Sequence, residues 1–302
     1  MAGSIEVLHY DAFSSVPNKG NPAGVVIDAD DLSGAAMQEI AHKVGFNETA
    51  FVMSSDEADY RFRFFTPGHE IPLCGHGTVA TGIGLQQQGG LCDGNLTIET
   101  MAGVLSISIR RDVEGTPLVE MEQAPAEFVE FLGSREALAD ALGIAAGDLH
   151  PELPIVYGST GTWTLIVPAG NLSVVESMRP VSERFPSVLT QMPRTSIHPF
   201  SLETNDASAD LHGRHFSSPF SGTIEDPVTG TASGVMGAYM ATYLPDFCAE
   251  RNYKLQIEQG AEVGRDGRVR VCILNHISPY KVRIAGTGVF VKRMEIDFET
   301  IS

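Results

Sequence analysis

The chain has few cysteines, no CxxC pair and no long apolar run. Its 302 residues include four cysteines, too few for a disulfide framework in a chain of this length. We therefore expect reduced thiols. No uncharged apolar stretch approaches the roughly 18 residues that a membrane span needs, and the N-terminal residues lack the basic start and apolar run of a signal peptide. These absences predict a cytoplasmic protein.

Positive charge is also scarce. Twenty lysines and arginines stand against 38 acidic side chains, so the formal net charge is −18 at pH 7. A nucleic-acid partner needs a basic face, and an anionic membrane surface attracts basic segments, so we expect neither partner. A local pocket can still be positive, and a small anionic substrate stays possible. The length corresponds to about two domains.

Short apolar stretches predict strands, with helices between them. One helix is expected over 32–44, where Met37, Ile40 and Val44 share a face, and a second, rich in small residues, over 78–88. The predicted strands cover 7–13, 23–27, 51–53, 60–65, 96–99 and 104–109. Strands outnumber helices and most connections are short, which is typical of an α+β fold with largely antiparallel sheets.

An internal repeat organises the chain. Four residues recur at an offset of 155, so that Phe65, Glu70, Pro72 and Gly75 correspond to Phe220, Glu225, Pro227 and Gly230. The repeat predicts two similar domains at 1–130 and 150–302, joined by a helical segment at 131–149, with a last strand that can return to the first domain. The structural alternative is that the small residues recur only because they allow close packing.

Each repeat has a glycine-rich turn, at 74–77 and 229–232, that leads into a helix. The first amides of a helix lack intrahelical partners and carry the positive end of the helix dipole. We expect the two turns to face each other across a cleft and to hold carboxylate or carbonyl oxygens. The residues expected to contact substrate there are Gly75, Gly77, Gly230 and Ala232.

The polar residues around the two turns differ. The pairs that break the repeat are His76 with Thr231, Cys74 with Thr229, and Ile71 with Asp226. A purely structural repeat gives no reason for this difference, whereas a substrate that is itself asymmetric does. We therefore interpret His76 as functional, with a capping or packing histidine as the alternative.

Glu48 is a candidate general base. It lies between the apolar residues Phe46 and Ala50, where burial would raise the pKa of a carboxyl group towards the range that suits a base. A carboxylate satisfied by its own loop is the alternative.

Four segments together resemble the phenazine-biosynthesis PhzF-like isomerase/epimerase family, and the resemblance covers nearly the whole chain. The segments are GNPA at 20–23, NETAF at 47–51, FTPGHEIPLCGH at 65–76 and EDPVTGTA at 225–232. The resemblance implies a diaminopimelate-epimerase-like fold, in which two pseudo-symmetric domains each wrap a curved, barrel-like sheet around a central helix. It also implies an active site between the domains, a homodimer, and no cofactor or metal.

By the same resemblance, Glu48 corresponds to the catalytic carboxylate of the family, and His76, Asp226 and Thr231 to its other polar site positions. Asn21 falls in a matching segment as a substrate-binding residue. Two positions depart from the phenazine enzyme, which has serine at Thr231 and an apolar residue at Cys74. The cysteine matches the related epimerases instead.

The favoured function is a cofactor-independent isomerase that shuttles a proton on a small carboxylic acid through Glu48. An epimerase or racemase that uses two thiols is the alternative, disfavoured because Thr229 stands opposite Cys74 in the repeat and a hydroxyl is too weak a base. A metal hydrolase is disfavoured because His212, His215 and the segment 74–76 lack zinc-ligand spacing. A non-catalytic acid-binding relative stays possible.

Overall fold

A computed structural model describes residues 2–89, 92–221, 223–275 and 277–299. Gly222, which lies in the second copy of the repeat, falls outside these residues. Within them, no helix has both the length and the apolar character required to span a membrane.

The described residues form a strand-rich chain with interspersed helices. In chain order the strands are β1 (Ala2–Ala12), β2 (Asn21–Val26), β3 (Glu48–Met53), β4 (Tyr60–Phe65), β5 (Glu70–Ile71), β6 (Gly94–Thr100), β7 (Gly103–Arg111), β8 (Pro117–Glu122), β9 (Glu127–Glu130), β10 (Val156–Ser159), β11 (Trp163–Pro168), β12 (Ser196–Ser201), β13 (Leu211–Gly213), β14 (Lys254–Gln259), β15 (Gly267–Ile273), β16 (Val282–Gly286) and β17 (Gly288–Glu299). The α-helices are α1 (Gly34–Val44), α2 (Gly75–Gln87), α3 (Arg135–Leu142), α4 (Leu172–Ser177), α5 (Phe185–Val188), α6 (Gly230–Tyr243) and α7 (Pro245–Glu250).

Two compact units divide the chain. Unit 1 is Met1–Met121 with Ala285–Ser302, and unit 2 is Glu122–Ile284. The last strand, β17, pairs with β1 along nearly its whole length, which places it in unit 1. Helix α3, from the segment expected to join the domains, buries Leu138 and Leu142 in the apolar core of unit 2. The sequence limits of the repeat, 1–130 and 150–302, stay a prediction.

The two units share one order of strand pairing. In unit 1, β1 and β2 are antiparallel, β2 and β3 parallel, β3 and β4 antiparallel, β4 and β6 parallel, and β6 and β7 antiparallel. Strands β10 to β15 of unit 2 follow the same order and directions. On the other side of the first strand, β17 pairs with β1 as β9 pairs with β10. The predicted α+β class with two similar halves is confirmed.

Helix α1 illustrates how local sequence sets an element. Ser33 precedes the helix and accepts a hydrogen bond from the Ala36 amide at 3.2 Å, so it acts as the N-cap. Gly45 ends the helix in the left-handed region at φ 74°. The predicted helix over 32–44 is therefore confirmed from Gly34 onward, because a capping residue stands outside the helical turn.

Each unit contains one helix that is buried on every side. In α2 every residue from His76 to Leu85 is buried, and α6 is buried over most of its length. A helix that is apolar all round belongs in a core rather than at a surface. These are the central helices that the repeat predicts. Helix α2 begins one turn before its expected small-residue run over 78–88, and both central helices start at the glycine that follows the N-cap position.

Glycine allows each central helix to approach its sheet closely. A Cβ at Gly82 of α2 would lie 2.7 Å from Val119 Cγ2, and a Cβ at Gly237 of α6 would lie 2.5 Å from Val271 Cγ1. Both distances are shorter than real side chains tolerate, so any larger residue would push the helix away from the strand. The two glycines are 155 residues apart, in agreement with the repeat offset.

A paired arginine and glutamate recur in both units, and they correct one part of the repeat alignment. Arg63 and Arg214 each bind a glutamate through two hydrogen bonds of 2.7–2.9 Å. Their partners are Glu70 and Glu225. Each arginine also lies over the phenylalanine two residues later, Phe65 or Phe216.

The counterpart of Phe65 is therefore Phe216 and not Phe220. Phe65 pairs across the sheet with Glu70, and Phe216 forms the matching bridge with Glu225. Phe216 is fully buried, whereas 55% of Phe220 is exposed. The offset is thus 151 before the turn and 155 after it, because unit 2 has four additional residues in the loop between the arginine and the glutamate.

The two ion pairs predict a difference in stability. Arg214 is 4% exposed and also donates to the carbonyl oxygens of Val175 and Met178. Arg214→Ala should leave the largely buried Glu225 carboxylate without its ion-pair partner and cost about 3–5 kcal/mol of unfolding free energy. Arg63→Ala is the matched control, and its cost should be about 1–2 kcal/mol because that pair is more accessible to solvent. Urea unfolding measures both, and equal losses would contradict the prediction.

Candidate active site

Unit 1 brings four polar side chains to the start of α2. Asn21 begins β2 and Glu48 begins β3. These strands are parallel neighbours, with Ala23 opposite Glu48, so their first residues lie at the same edge of the sheet. Cys74 is the N-cap residue of α2, and His76 lies in its first turn. The strand register and the helix start together assemble the group.

His76 is the centre of this cluster. Its Nε2 lies 3.0 Å from Glu48 Oε2, and its Nδ1 lies 3.3 Å from the Asn21 side-chain nitrogen and 3.5 Å from Cys74 Sγ. Asn21, Cys74 and His76 are buried, while 19% of the Glu48 side chain is exposed. Glu48 is thus the most accessible member of the cluster and the one best able to meet an incoming molecule.

The imidazole of His76 is expected to be charged. Burial opposes the charge, but the Glu48 carboxylate, which lies 3.0 Å from Nε2, raises the pKa of His76. The side-chain amide of Asn21 has both a hydrogen-bond donor and an acceptor. It can therefore pair with His76 Nδ1 whether or not that nitrogen is protonated. Glu48 and His76 therefore form a buried carboxylate–imidazolium pair.

Cys74 is a neutral thiol in this environment. Burial raises the pKa of Cys74, although the neighbouring His76 acts in the opposite direction. Its Sγ accepts a hydrogen bond from the Gly77 amide at 3.3 Å and so caps the first turn of α2. Since the thiolate is the reactive form of cysteine, Cys74 is a poor base here.

The corresponding turn of unit 2 is built differently. The Thr229 hydroxyl does not cap α6 but donates to Asp226 Oδ2 at 2.5 Å. Gln259, almost fully buried, donates from Nε2 to the Asp226 carbonyl oxygen at 2.8 Å and accepts from the Thr229 amide at 3.2 Å. The glutamine amide thereby connects this turn to the end of β14 and holds Asp226 in place.

Thr231 lies in the first turn of α6, half-buried, between the buried residues Gly230 and Ala232. Its backbone carbonyl accepts a hydrogen bond from Thr160 Oγ1 at 3.4 Å. The short side chains on either side of Thr231 leave its hydroxyl and the first helix amides as the polar groups of this turn.

The predicted site residues thus fall into two groups, one in each unit. Unit 1 holds Asn21, Glu48, Gly75, His76 and Gly77, and unit 2 holds Asp226, Gly230, Thr231 and Ala232. Contacts within unit 1 join Asn21, Glu48 and His76 directly. Their roles towards a substrate stay predictions.

Gln259 is a residue of this site that the sequence pattern did not predict. The signal was present, because Leu255 and Ile257 alternate with polar residues along β14 and Gln259 continues their buried face. A buried polar side chain at the end of an alternating strand needs partners, and the neighbouring turn at 226–229 supplies them.

Glu48, Cys74 and His76 also present three types of metal ligand. Their ligand atoms lie within 4.8 Å of one another. Carboxylate, thiolate and imidazole are the groups that bind zinc in proteins. The expectation that activity needs no metal stays a prediction.

A family model and several known proteins are similar to this chain over most of its length. The family model described as phenazine biosynthesis-like protein matches residues 10–294. The isomerase YfhB of Bacillus subtilis is 50% identical over 286 residues, which are 94% of this chain and 96% of that protein. Trans-2,3-dihydro-3-hydroxyanthranilate isomerase of Pseudomonas aeruginosa is 31% identical over 263 residues, 86% of this chain and 87% of that protein.

Two solved structures are similar to this chain along nearly its whole length. The phenazine biosynthesis protein of the PhzF family from Bacillus anthracis has a TM-score of 0.92 and 53% identity, covering 97% of this chain and 99% of that one. A hydroxyproline epimerase from Agrobacterium vitis has a TM-score of 0.59 at 10% identity, covering 97% of this chain and 91% of that one. The second likeness concerns the fold alone.

The charged state of His76 can be tested by NMR titration of the histidine rings. A histidine whose pKa is raised on folding stabilises the protein below its unfolded pKa, about 6.5, and loses this contribution as the pH rises through the folded value. We expect the His76 signals to show an imidazolium above pH 7 and Glu48→Gln to lower the midpoint. His215 is an internal control, since burial lowers its pKa to about 4. A His76 midpoint at or below 6.5 would contradict the ion pair.

Proposed function

The chain belongs to the phenazine biosynthesis-like family, whose relatives include named isomerases, and from this premise we propose that it isomerises a small carboxylic acid with Glu48 as its single base. The observation that carries the proposal is the difference between equivalent positions of the two units. Unit 1 holds a carboxylate 3.0 Å from an imidazole ring, and the equivalent positions of unit 2 hold hydroxyl groups.

Strand register identifies the counterpart of Glu48. In unit 1, Thr49 pairs with Phe65, and in unit 2 the matching pair is Ile197 with Phe216. The residue before each is therefore equivalent, so Ser196 stands where unit 1 has Glu48. Ser196 donates its hydroxyl hydrogen to Thr164 Oγ1 at 2.9 Å, and a serine hydroxyl without an activating partner is too weak a base to remove a carbon-bound proton.

The same comparison applies to the other positions. Thr229 stands where unit 1 has Cys74, and Thr231 where it has His76. An epimerase that works with one base on each side of a carbon atom needs a second base from the other copy of the repeat. Neither Thr229 nor Ser196 can serve, which favours a single-base shuttle over the two-thiol alternative.

The proposed chemistry moves one proton within the substrate. The Glu48 carboxylate removes a proton from a carbon that is acidified by conjugation with an acid group. The electron pair delocalises into the conjugated system, and the protonated Glu48 then delivers a proton to another carbon. Because 19% of the Glu48 side chain is exposed, its carboxyl proton can exchange with solvent during this step, so that turnover in D₂O labels the product. The His76 imidazolium is a charged hydrogen-bond donor beside the base, suited to stabilise the negative charge that develops in the transition state.

Asp226 and Thr231 are proposed to bind polar groups of the substrate, as the family resemblance implies. Gln259 supports this role because it holds the turn at 226–229 against β14. The relative that acts on trans-2,3-dihydro-3-hydroxyanthranilate makes that conjugated cyclic acid the first compound to test. A homodimer is proposed on the same resemblance, and light scattering after size exclusion would test it.

Glu48→Gln tests the base directly. The substitution keeps the shape of the side chain but removes the negative charge of the carboxylate, and with it the ability to accept a proton. Solvent-deuterium incorporation into a responsive acid should therefore fall by about a hundred to ten thousandfold. Glu57→Gln is the matched control, at an exposed position of the same unit, and should exchange at the wild-type rate. Equal rates for Glu48→Gln and wild type would exclude Glu48 and return attention to His76 and Asp226.

Cys74→Ala separates the single-base mechanism from a thiol mechanism. The substitution removes the helix cap and a small buried volume, but no base, so activity should fall by no more than about tenfold. The measurement is the same deuterium exchange, with circular dichroism as a check of folding. A loss of about a thousandfold in a folded protein would favour a thiol base instead.

A further inference from the structure

The site in unit 1 combines three metal-ligand side chains, a property that the proposed proton shuttle does not require. Glu48, Cys74 and His76 are, among the residues that the structure describes, the one group of three metal-ligand side chains whose donor atoms all lie within 4.8 Å of one another. The set comprises one carboxylate, one thiol and one imidazole. Zn²⁺ binds all three ligand types and favours sites that include a cysteine.

The distances are close to those of a zinc site. His76 Nε2 lies 3.0 Å from Glu48 Oε2 and 3.8 Å from Cys74 Sγ. In a tetrahedral site with Zn–S of about 2.3 Å and Zn–N and Zn–O of about 2.0–2.1 Å, the ligand atoms lie about 3.3–3.6 Å apart. The two distances from His76 Nε2 each differ from these values by a few tenths of an ångström, and the carboxylate and sulfur atoms lie within 4.8 Å of each other.

A second observation concerns Glu48 Oε2. This oxygen is buried, and none of the described residues donates a hydrogen bond of regular geometry to it, although His76 Nε2 is 3.0 Å away. Beside the His76 ring, this oxygen keeps a lone pair that a cation can bind. A cation between the three side chains would satisfy it.

Charge also favours a divalent ion at this position. Zn²⁺ bound to the Glu48 carboxylate, the Cys74 thiolate and a neutral His76 gives a site with no net charge, which is the least costly outcome where the surroundings exclude water. On binding, the thiol releases its proton to solvent and the imidazolium releases one of its two. The fourth position of the tetrahedron stays open for water.

We propose that Glu48, Cys74 and His76 form a Zn²⁺ site and that zinc bound there inhibits the enzyme. The binding stands on the geometry of the three side chains. The inhibition rests on the proposed function, because zinc would occupy the oxygen of Glu48 and the ring nitrogen of His76 that the proton shuttle needs.

Cobalt substitution tests the binding without any substrate. Purified protein is stripped of metal with a chelator, exchanged into chelator-free buffer and titrated with Co²⁺. Wild type should develop a thiolate-to-cobalt charge-transfer band together with the visible absorption of tetrahedral cobalt, and one equivalent of Zn²⁺ should abolish both. Cys74→Ser keeps a capping side chain and should lose the charge-transfer band, whereas Cys92→Ser, at an exposed cysteine, should retain it.

Zinc affinity measured by calorimetry gives a second readout. Cys74→Ser and Glu48→Gln should each weaken zinc binding by about a hundredfold or more. Mutation of a residue that only hydrogen-bonds to a metal ligand already costs about ten to a hundredfold in affinity, and these two substitutions remove a ligand itself. His215→Ala is the control for the other close histidine pair, His198 with His215, and should bind as wild type does. A band that survives Cys74→Ser but not Cys92→Ser, or an affinity lost in His215→Ala, would overturn the site.

Deuterium exchange then tests the inhibition separately. One equivalent of Zn²⁺ should abolish exchange by wild type, and a chelator should restore it. Stoichiometric binding at Cys74 without inhibition would leave the metal site intact and contradict Glu48 as the shuttle. Activation by zinc would overturn the inhibitory role.

Discussion

The close approach of a buried helix to its sheet is the constraint on which both units depend. Gly82 and Gly237 permit it, since a Cβ at either would lie 2.5–2.7 Å from a valine on the adjacent strand. With each helix at this depth, its first turn comes to the edge where neighbouring strands begin or end. The helix start then presents unpaired amides beside side chains from two strands, and this is how Glu48 and His76 meet.

The same framework carries different chemistry in its two copies. Unit 1 concentrates the acid–base groups Glu48 and His76, while the equivalent positions of unit 2 are Ser196 and Thr231. A carboxylate and an imidazole in a buried site stabilise each other's charged form. Unit 2 retains only hydroxyl groups at those positions, and its turn is held by neutral hydrogen bonds from Gln259. The asymmetry suits a substrate whose two ends differ.

Buried histidines of unit 2 show how strongly partners decide protonation. His212 lies 2.8 Å from both Glu258 and Glu262, and although burial opposes its charge, these carboxylates raise the pKa of His212 to about 9. The Nδ1 atoms of His198 and His215 lie 3.3 Å apart, and burial lowers the pKa of His215 to about 4. His76 belongs with the first kind, since the Glu48 carboxylate raises its pKa. The protonated ring of His76 can therefore act as a charged hydrogen-bond donor.

The sequence by itself determined the α+β class and indicated the repeat and the small-residue helices, because spacing and glycine placement are local properties of the chain. The candidate site residues came from this pattern together with the family resemblance. The sequence did not determine the alignment of Phe65 with Phe216 or the role of Gln259. Both depend on which strands are neighbours, and pairing between residues far apart in the chain leaves little trace in local composition. The assembly of Glu48, Cys74 and His76 is likewise a tertiary result: 28 positions separate Glu48 from His76, and only the parallel register of β2 and β3 beside the start of α2 brings them within 3.0 Å.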